Sequence, residues 1–80
     1  MATLPIELDA TAVEVLADDG SLRVTLADAR EISVPLMWFP RLLEATAEQR
    51  TKWRLIGRGI GIAWDDLDEH ISVAGLLRQR

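Results

Sequence analysis

Residues 35–53 read PLMWFPRLLEATAEQRTKW, and this stretch separates a strand-like first half of the chain from a glycine-rich second half. It holds two of the three tryptophans, the only phenylalanine and two of the three prolines. We interpret it as a lid of short helices that covers one face of a small sheet, and we call it the lid below.

Two helices are predicted within the lid. Pro40 suits the first turn of a helix, where its missing N–H is not needed. Thr46 and Gln49 match the hydroxyl and amide positions of a capping box, which marks a second helix start. The helices should therefore lie near residues 39–45 and 47–52, with a break at Thr46.

Two alternating stretches precede the lid, at residues 11–18 and 21–28. An alternation of apolar and polar residues over seven or eight positions is typical of half-buried strands. Asp19-Gly20 between them is a strong signal for a tight hairpin turn of type I′. The apolar pairs that this turn produces, all on one face, are Ala17–Leu22, Val15–Val24 and Val13–Leu26.

A third strand is predicted at residues 30–34. A two-residue loop before it would turn Ile32 to the polar face, because a slip of one residue flips every side chain. A three-residue loop ending at Ala29 keeps the apolar residues together, and Pro35 ends the strand because it cannot donate to a ladder. The pairs that this longer loop produces are Val24–Ile32 and Leu22–Val34.

The second half begins with WRLIGRGIGIAW at residues 53–64, which predicts a pair of short strands turning near Arg58-Gly59. Residues 65–70, DDLDEH, follow as an acidic loop. Ser72 is a favourable N-cap for a last helix that continues to Arg78. The residues predicted on the inner side of this helix are Val73, Leu76 and Leu77.

Together these elements predict the α+β class: a three-stranded antiparallel meander, two short helices, a glycine-rich strand pair and a C-terminal helix. A chain of 80 residues has room for a single domain, here residues 1–80. Residues 1–10 show no clear period, and we expect a flexible or extended arm there.

The composition disfavours several classes of protein. The chain has no cysteine, so neither a disulfide nor a thiolate metal site can hold the fold. Its longest apolar run is far below the roughly 20 residues of a membrane span, and its N-terminus lacks the basic start of a signal peptide. The net charge of −4 disfavours nucleic-acid binding, which normally relies on excess basic residues. We expect a cytoplasmic protein that binds no membrane.

No stretch carries a specific chemical motif. The GRGIG run lacks the third glycine of a dinucleotide-binding loop and the GK[ST] of a P-loop, so its glycines are better explained by a turn. The carboxylates of residues 65–69 beside His70 could hold a hard cation, yet they lack the spacing and glycine of an EF-hand. Carboxylates before a helix N-terminus are also favourable without a metal. We therefore expect no catalytic residue, no cofactor and no metal, with a cation in this loop as the alternative.

Two features point to partner binding. Five of the nine basic residues fall between positions 41 and 58, which predicts a basic patch or, alternatively, the polar faces of the helices and a strand. Trp38 and Phe39 are adjacent, so one of them can point outward as an interface anchor, unless both lie beneath the lid. The candidate partner-binding residues are Trp38, Phe39, Arg41, Arg50, Lys52, Arg54 and Arg58.

With these residues, the chain resembles the small bacterial family known as domain of unknown function 2442. The resemblance spans nearly the whole chain from Thr11. It departs from the family pattern at Ala63, where the family often has histidine, at Asp65, where it has proline, and at His70, where it usually has an acid. The matching segments are Val34-Pro35-Leu36, Phe39-Pro40-Arg41-Leu42, Ala45-Thr46, Gln49-Arg50, Trp53, Gly59-Ile60-Gly61-Ile62, Trp64, Leu67-Asp68, Ile71-Ser72-Val73 and Leu76-Leu77.

The resemblance implies an α+β fold with a three-stranded sheet, helices and a C-terminal helix. Some members are joined to a DNA-binding helix-turn-helix domain, and others are encoded beside a small partner protein, which suggests an antitoxin-like role. We therefore expect a non-enzymatic protein-interaction module, and its most specific form is the antitoxin-like partner of a small, basic adjacent-gene protein. The alternative is a nucleic-acid-binding or regulatory accessory domain that uses residues 50–58. A homo-oligomer through the lid or a strand edge is compatible with the first.

The loop before the third strand gives a stability prediction. A three-residue hairpin loop needs positive φ at its last position, where glycine is usual and an alanine is strained. We expect Ala29→Gly to raise the free energy of unfolding, measured by urea denaturation. A loss of stability would contradict the proposed register.

Overall fold

Within residues 8–78, the part that the computed structural model describes, the fold consists of two three-stranded antiparallel sheets and three short α-helices. The first sheet contains β1 (Ala12–Ala17), β2 (Ser21–Leu26) and β3 (Glu31–Pro35), in that order. The second contains β4 (Arg54–Ile56), β5 (Gly61–Trp64) and β6 (Glu69–Ser72). The helices are α1 (Pro40–Leu43), α2 (Ala47–Arg50) and α3 (Val73–Leu77). The predicted α+β class is confirmed. Of the predicted arm, residues 1–7 lie outside the described part, and residues 8–10 form no regular secondary structure.

The first sheet follows the predicted register except at one point. The pairs Ala17–Leu22 and Val15–Val24 are confirmed, as are both pairs between β2 and β3. The pairing of Val13 with Leu26 is wrong, because a β-bulge between Ala12 and Glu14 places Ala12 opposite Leu26. The bulge adds one residue to β1 and turns Val13 to solvent.

The turn between β1 and β2 lies at the predicted position but is not of type I′. That type requires positive φ at both central residues, and neither Asp19 nor Gly20 has it. The carboxylate of Asp18 instead accepts hydrogen bonds from the backbone N–H groups of Gly20 and Ser21, each at 2.8 Å. A side-chain acceptor of this kind closes a turn without a left-handed residue. The same bonds lower the pKa of Asp18.

The turn between β2 and β3 has the predicted strain. Ala29 has φ 74°, a conformation that costs a non-glycine residue about 1–2 kcal/mol. Since glycine loses more backbone entropy on folding, the net gain expected from Ala29→Gly is about 1 kcal/mol. Asp28 supports the turn: its carboxylate accepts from the Arg30 side chain at 2.8 Å and from the Asp9 backbone N–H at 2.9 Å. The bond from Arg30 is the main reason that the pKa of Asp28 falls to about 2.

The lid folds as its sequence signals predict. Helix α1 begins with Pro40 at its first turn. Helix α2 is capped by Thr46, whose hydroxyl accepts from the Gln49 N–H at 3.1 Å while the Gln49 side chain accepts from the Thr46 N–H at 3.0 Å. A short 3-10 turn, Leu36–Trp38, precedes α1 and was not predicted.

The second sheet contains one strand more than the sequence predicted. The expected hairpin turns at residues 57–59, where Gly57, Arg58 and Gly59 all have positive φ. The acidic loop at residues 65–70 is confirmed only for its first part, a 3-10 turn followed by Asp68 in the left-handed region. The rest of it begins β6, which pairs with β5. Ile71 is the only buried residue of this four-residue strand, and a single apolar position is too short a pattern to predict a strand.

One hydrophobic cluster joins both sheets, the lid and α3. Trp64 of β5 is completely buried at its centre. The prediction for Leu77 is wrong, because its side chain is exposed, whereas Val73 and Leu76 of α3 are buried as predicted. The buried members of the cluster are Ala12, Val15, Leu22, Val24, Leu26, Val34, Leu36, Leu42, Ile62, Trp64, Ile71, Val73 and Leu76.

The two sheets meet backbone to backbone at Gly59. A Cβ added to Gly59 would overlap the carbonyl oxygen of Ala12 and lie 2.9 Å from the Ala12 nitrogen. Gly59 also has φ 95°, which L side chains rarely adopt. Only glycine therefore allows the β4–β5 turn to reach the bulged start of β1.

We expect Gly59→Ala to lower the free energy of unfolding by about 3 kcal/mol or more, because it adds backbone strain to a clash with a neighbouring strand. Gly20→Ala is the matched control, since its φ is not positive and its added Cβ would meet nothing closer than the Asp18 carboxylate at 3.9 Å. The control should stay within about 0.5 kcal/mol of the unaltered protein. Equal losses in urea denaturation would show that the close approach of the two sheets does not matter.

Candidate interaction surface

The lid exposes large apolar side chains on its outer side. Met37 is 69% exposed and Trp38 41%, and Leu43 of α1 is exposed as well. We call these three residues the lid apolar surface. Phe39 is half-buried and packs against the core. Of the adjacent aromatic residues, Trp38 is therefore the one that points outward, as an interface anchor would.

The 3-10 turn explains this orientation. A 3-10 helix has three residues per turn, so a segment that buries Leu36 directs the next two side chains away from the core. The Phe39 N–H closes the turn on the Leu36 carbonyl at 2.9 Å, and Phe39 returns to the core. Met37 and Leu43 were not among the predicted partner-binding residues, and the only signal for Met37 is its place one residue after the buried Leu36.

Phe39 also lines a shallow depression of about 170 Å³ between the lid and the second sheet. The other lining residues come from β6 and α3: His70, Ile71, Ser72, Gly75 and Leu76. Its mixed polar and apolar lining contains one titratable group, His70, whose side chain is exposed.

The basic residues between positions 41 and 58 do not form a free positive patch. Arg54 binds Asp65 through two nitrogens, at 2.8 and 3.2 Å. This pair lowers the pKa of Asp65 and raises that of Arg54. Lys52 lies 3.8 Å from Asp66, so the 3-10 turn after β5 supplies counter-charges to residues on both sides of Trp53.

Arg41 completes this arrangement. Its guanidinium lies 3.7 Å from the Asp68 carboxylate and donates to the Asp68 carbonyl. Three carboxylates of the acidic segment therefore each face one cation of the basic segment. The two charge clusters that the sequence shows separately neutralise each other in the fold. Arg58 stands apart, in the left-handed turn at residues 57–59, and makes no ion pair with residues 8–78.

Arg50 is not a surface residue, which corrects its place among the predicted partner-binding residues. It is only 7% exposed. Its guanidinium donates to the carbonyl oxygens of Leu42 and Leu43, each at 2.8 Å, and to the Asp19 carboxylate at 3.0 Å. Its own carbonyl accepts from the buried indole N–H of Trp64 at 3.1 Å. Arg50 thus ties α1, α2, the β1–β2 turn and β5 together.

Among the described residues, no group of three histidine, cysteine, aspartate or glutamate side chains is arranged to hold a metal ion. His70 lies on β6 opposite Ala63 and contributes only weakly to the lowered pKa of Asp65. No helix in residues 8–78 combines the length and the apolar character that crossing a bilayer requires.

Comparison with known proteins places this fold among uncharacterised ones. The family described as Protein of unknown function (DUF2442) matches residues 10–80. The crystal structure of a protein of unknown function from Rhodospirillum rubrum is similar, with a TM-score of 0.72 and 25% sequence identity over 84% of this chain and 83% of that one. None of the curated proteins matches the chain significantly.

A solution NMR structure of an uncharacterized protein from Chromobacterium violaceum is also similar. The TM-score is 0.70 and the sequence identity 28% over 84% of this chain. The match covers 63% of the other protein, so this chain spans less than two thirds of its length.

The role of Arg50 can be tested by Arg50→Met, which keeps the length of the side chain but removes its donors. We expect the free energy of unfolding to fall by about 3 kcal/mol or more, because two carbonyls at the end of α1 lose their charged partner. Asp19→Ala is the control, since it removes only an exposed carboxylate from the same site and should cost less than about 1 kcal/mol. Similar losses for both variants in urea denaturation would contradict this assignment.

Proposed function

The chain belongs to the DUF2442 family, and we propose that it acts as a non-catalytic protein-interaction module of the cytoplasm, with the lid apolar surface as its contact site. The observation that supports this most directly is the exposure of Met37 and Trp38 beside a well-filled core. Exposed apolar side chains that include tryptophan are typical of protein interfaces.

The charge of the chain favours a basic partner. The net charge is −4, and three cations of the lid region are already matched by carboxylates of the chain. Glu44, next to Leu43 of the lid apolar surface, is exposed and makes no ion pair with residues 8–78. An incoming positive side chain would meet it directly. An antitoxin-like role toward a small basic protein encoded by the adjacent gene is the most specific form of this proposal.

The alternative, nucleic-acid binding through residues 50–58, has weaker support. Phosphate binding needs cations that are accessible and not already neutralised. Arg50 is buried, and Lys52 and Arg54 face Asp66 and Asp65. Arg58 alone is left in this segment.

The proposal is tested by co-expression with the product of the adjacent gene, followed by purification of a tagged chain. We expect a stoichiometric complex, and we expect Trp38→Glu to abolish it because a buried carboxylate would face an apolar partner surface. Leu77→Glu is the matched control, since Leu77 is 43% exposed on α3 and lies outside the lid. It should leave the complex intact.

Purification of the two proteins as separate monomers would overturn the proposal. Loss of the complex with Leu77→Glu but not with Trp38→Glu would move the contact site away from the lid. A salt-dependent gel shift with nucleic acid that Arg58→Ala abolishes would favour the alternative. Circular dichroism of each variant would show that the fold is kept.

A further inference from the structure

β1 is an edge strand of the first sheet, and no other strand of residues 8–78 pairs with its outer side. The backbone N–H of Asp18 donates to the Ser21 carbonyl at 3.1 Å, so Asp18 turns its backbone groups toward β2. This bond sets the pattern for the rest of β1. In an antiparallel ladder the residues that turn their backbone groups toward the neighbouring strand alternate. Leu16 and Glu14 therefore bond to β2, while the N–H and C=O groups of Val15 and Ala17 point away from it. None of the hydrogen bonds among residues 8–78 that lie outside the ladders uses them.

Within residues 8–78, β1 has fewer of the features that normally prevent strand pairing than the other edge strands. Edge strands are commonly protected by lysine, proline, short length or a covering element. β3 ends in Pro35 and lies against α3, and β4 and β6 have only three and four residues. β1 reads AVEVLA, with neither lysine nor proline. Its bulge and the nearby Gly59 turn affect only the start of the strand.

A second observation is the exposure of the Leu16 side chain. Apart from Pro35 at the end of β3, the other residues on the outer face of the first sheet are polar: Glu14, Ser21, Arg23, Thr25, Glu31 and Ser33. Leu16 is 55% exposed on this face, directly beside the open edge. A single exposed leucine is ordinary on a protein surface. Here it lies within a stretch of edge whose outward backbone groups, at Val15 and Ala17, make no hydrogen bond to other residues of the described part, 8–78.

We propose that β1 pairs antiparallel with β1 of a second copy of this chain, about a two-fold axis at Leu16. Val15 then exchanges two backbone hydrogen bonds with Ala17 of the second copy, and the symmetry repeats them. Leu16 and its copy become a non-hydrogen-bonded pair with Cβ atoms about 4.5–5.5 Å apart, which covers both leucines. The same surface serves both molecules, as closed two-fold assemblies require. The first sheet of one copy and the first sheet of the other then form one continuous sheet of six strands.

The pairing has an electrostatic signature. It places Glu14 opposite Asp18 of the second copy, so two negative side chains approach each other. The Asp18 carboxylate is held in its own turn by the N–H groups of Gly20 and Ser21, which limits the repulsion without removing it. The dimer should therefore be weak, and salt should strengthen it by screening. Glu14→Gln should tighten it at low salt.

The absence of cysteine makes the geometry directly testable. Leu16→Cys should form a disulfide-linked dimer under mild oxidation, because Cβ atoms of such a pair lie close to bonding distance. Ser33→Cys, on the same outer face but on the opposite edge strand β3, is the control and should remain monomeric. Dimer yield is measured on non-reducing gels at low protein concentration, to limit random collisions.

Sedimentation of the full chain from low micromolar to near-millimolar concentration gives the second measurement. We expect a monomer–dimer equilibrium that Leu16→Lys weakens by about tenfold or more and that Glu14→Gln strengthens, with circular dichroism unchanged. A monomer throughout the range, or equal cross-linking of Ser33→Cys, would overturn the proposal. A dimer that Trp38→Glu abolishes and Leu16→Lys leaves intact would place the contact on the lid instead.

Discussion

The buried guanidinium of Arg50 is the interaction on which the rest of the structure depends. Both helices of the lid have only four residues, too few to be stable alone. Arg50 binds the carbonyls at the end of α1, reaches the β1–β2 turn, and offers its own carbonyl to the Trp64 indole. A side chain with five fixed donors can satisfy several acceptors at once, which lysine cannot do. The lid is therefore held by polar bonds as much as by its buried leucines.

Charge pairing determines which surfaces remain available for binding. The acidic turn after β5 neutralises the cations of the lid region, so neither cluster is a strong electrostatic site. Exposed pairs of this kind contribute little stability, and their main effect is to remove a positive patch. The lid also exposes the apolar side chains of Met37 and Trp38, together with the carboxylate of Glu44. On the function proposed above, such a surface would select a protein partner by shape and burial as well as by charge.

Local signals in the sequence predicted most of the fold. Alternation and loop length predicted the pairing of β2 with β3, because a buried face admits only one register. The same loop length predicted the positive φ of Ala29. The bulge at Val13 was not predicted: it lies where Gly59, which is distant in the sequence, contacts the backbone of Ala12. Long-range contacts also explain why the burial of Arg50 was not predicted. From the sequence alone, Arg50 resembles an exposed cation at the end of a helix. Its burial follows from contacts with residues distant in the sequence, among them Trp64.

The hydrogen bond from the Trp64 indole to Arg50 has a spectroscopic consequence. The indole N–H is completely buried, and its acceptor belongs to the residue that joins the lid to both sheets. Exchange of this proton with deuterated solvent therefore requires opening of the whole assembly rather than local fraying. Trp38, by contrast, is partly exposed, so an indole proton there would exchange quickly. Of the three indole resonances, that of Trp64 would thus report the global stability and that of Trp38 the state of the lid surface.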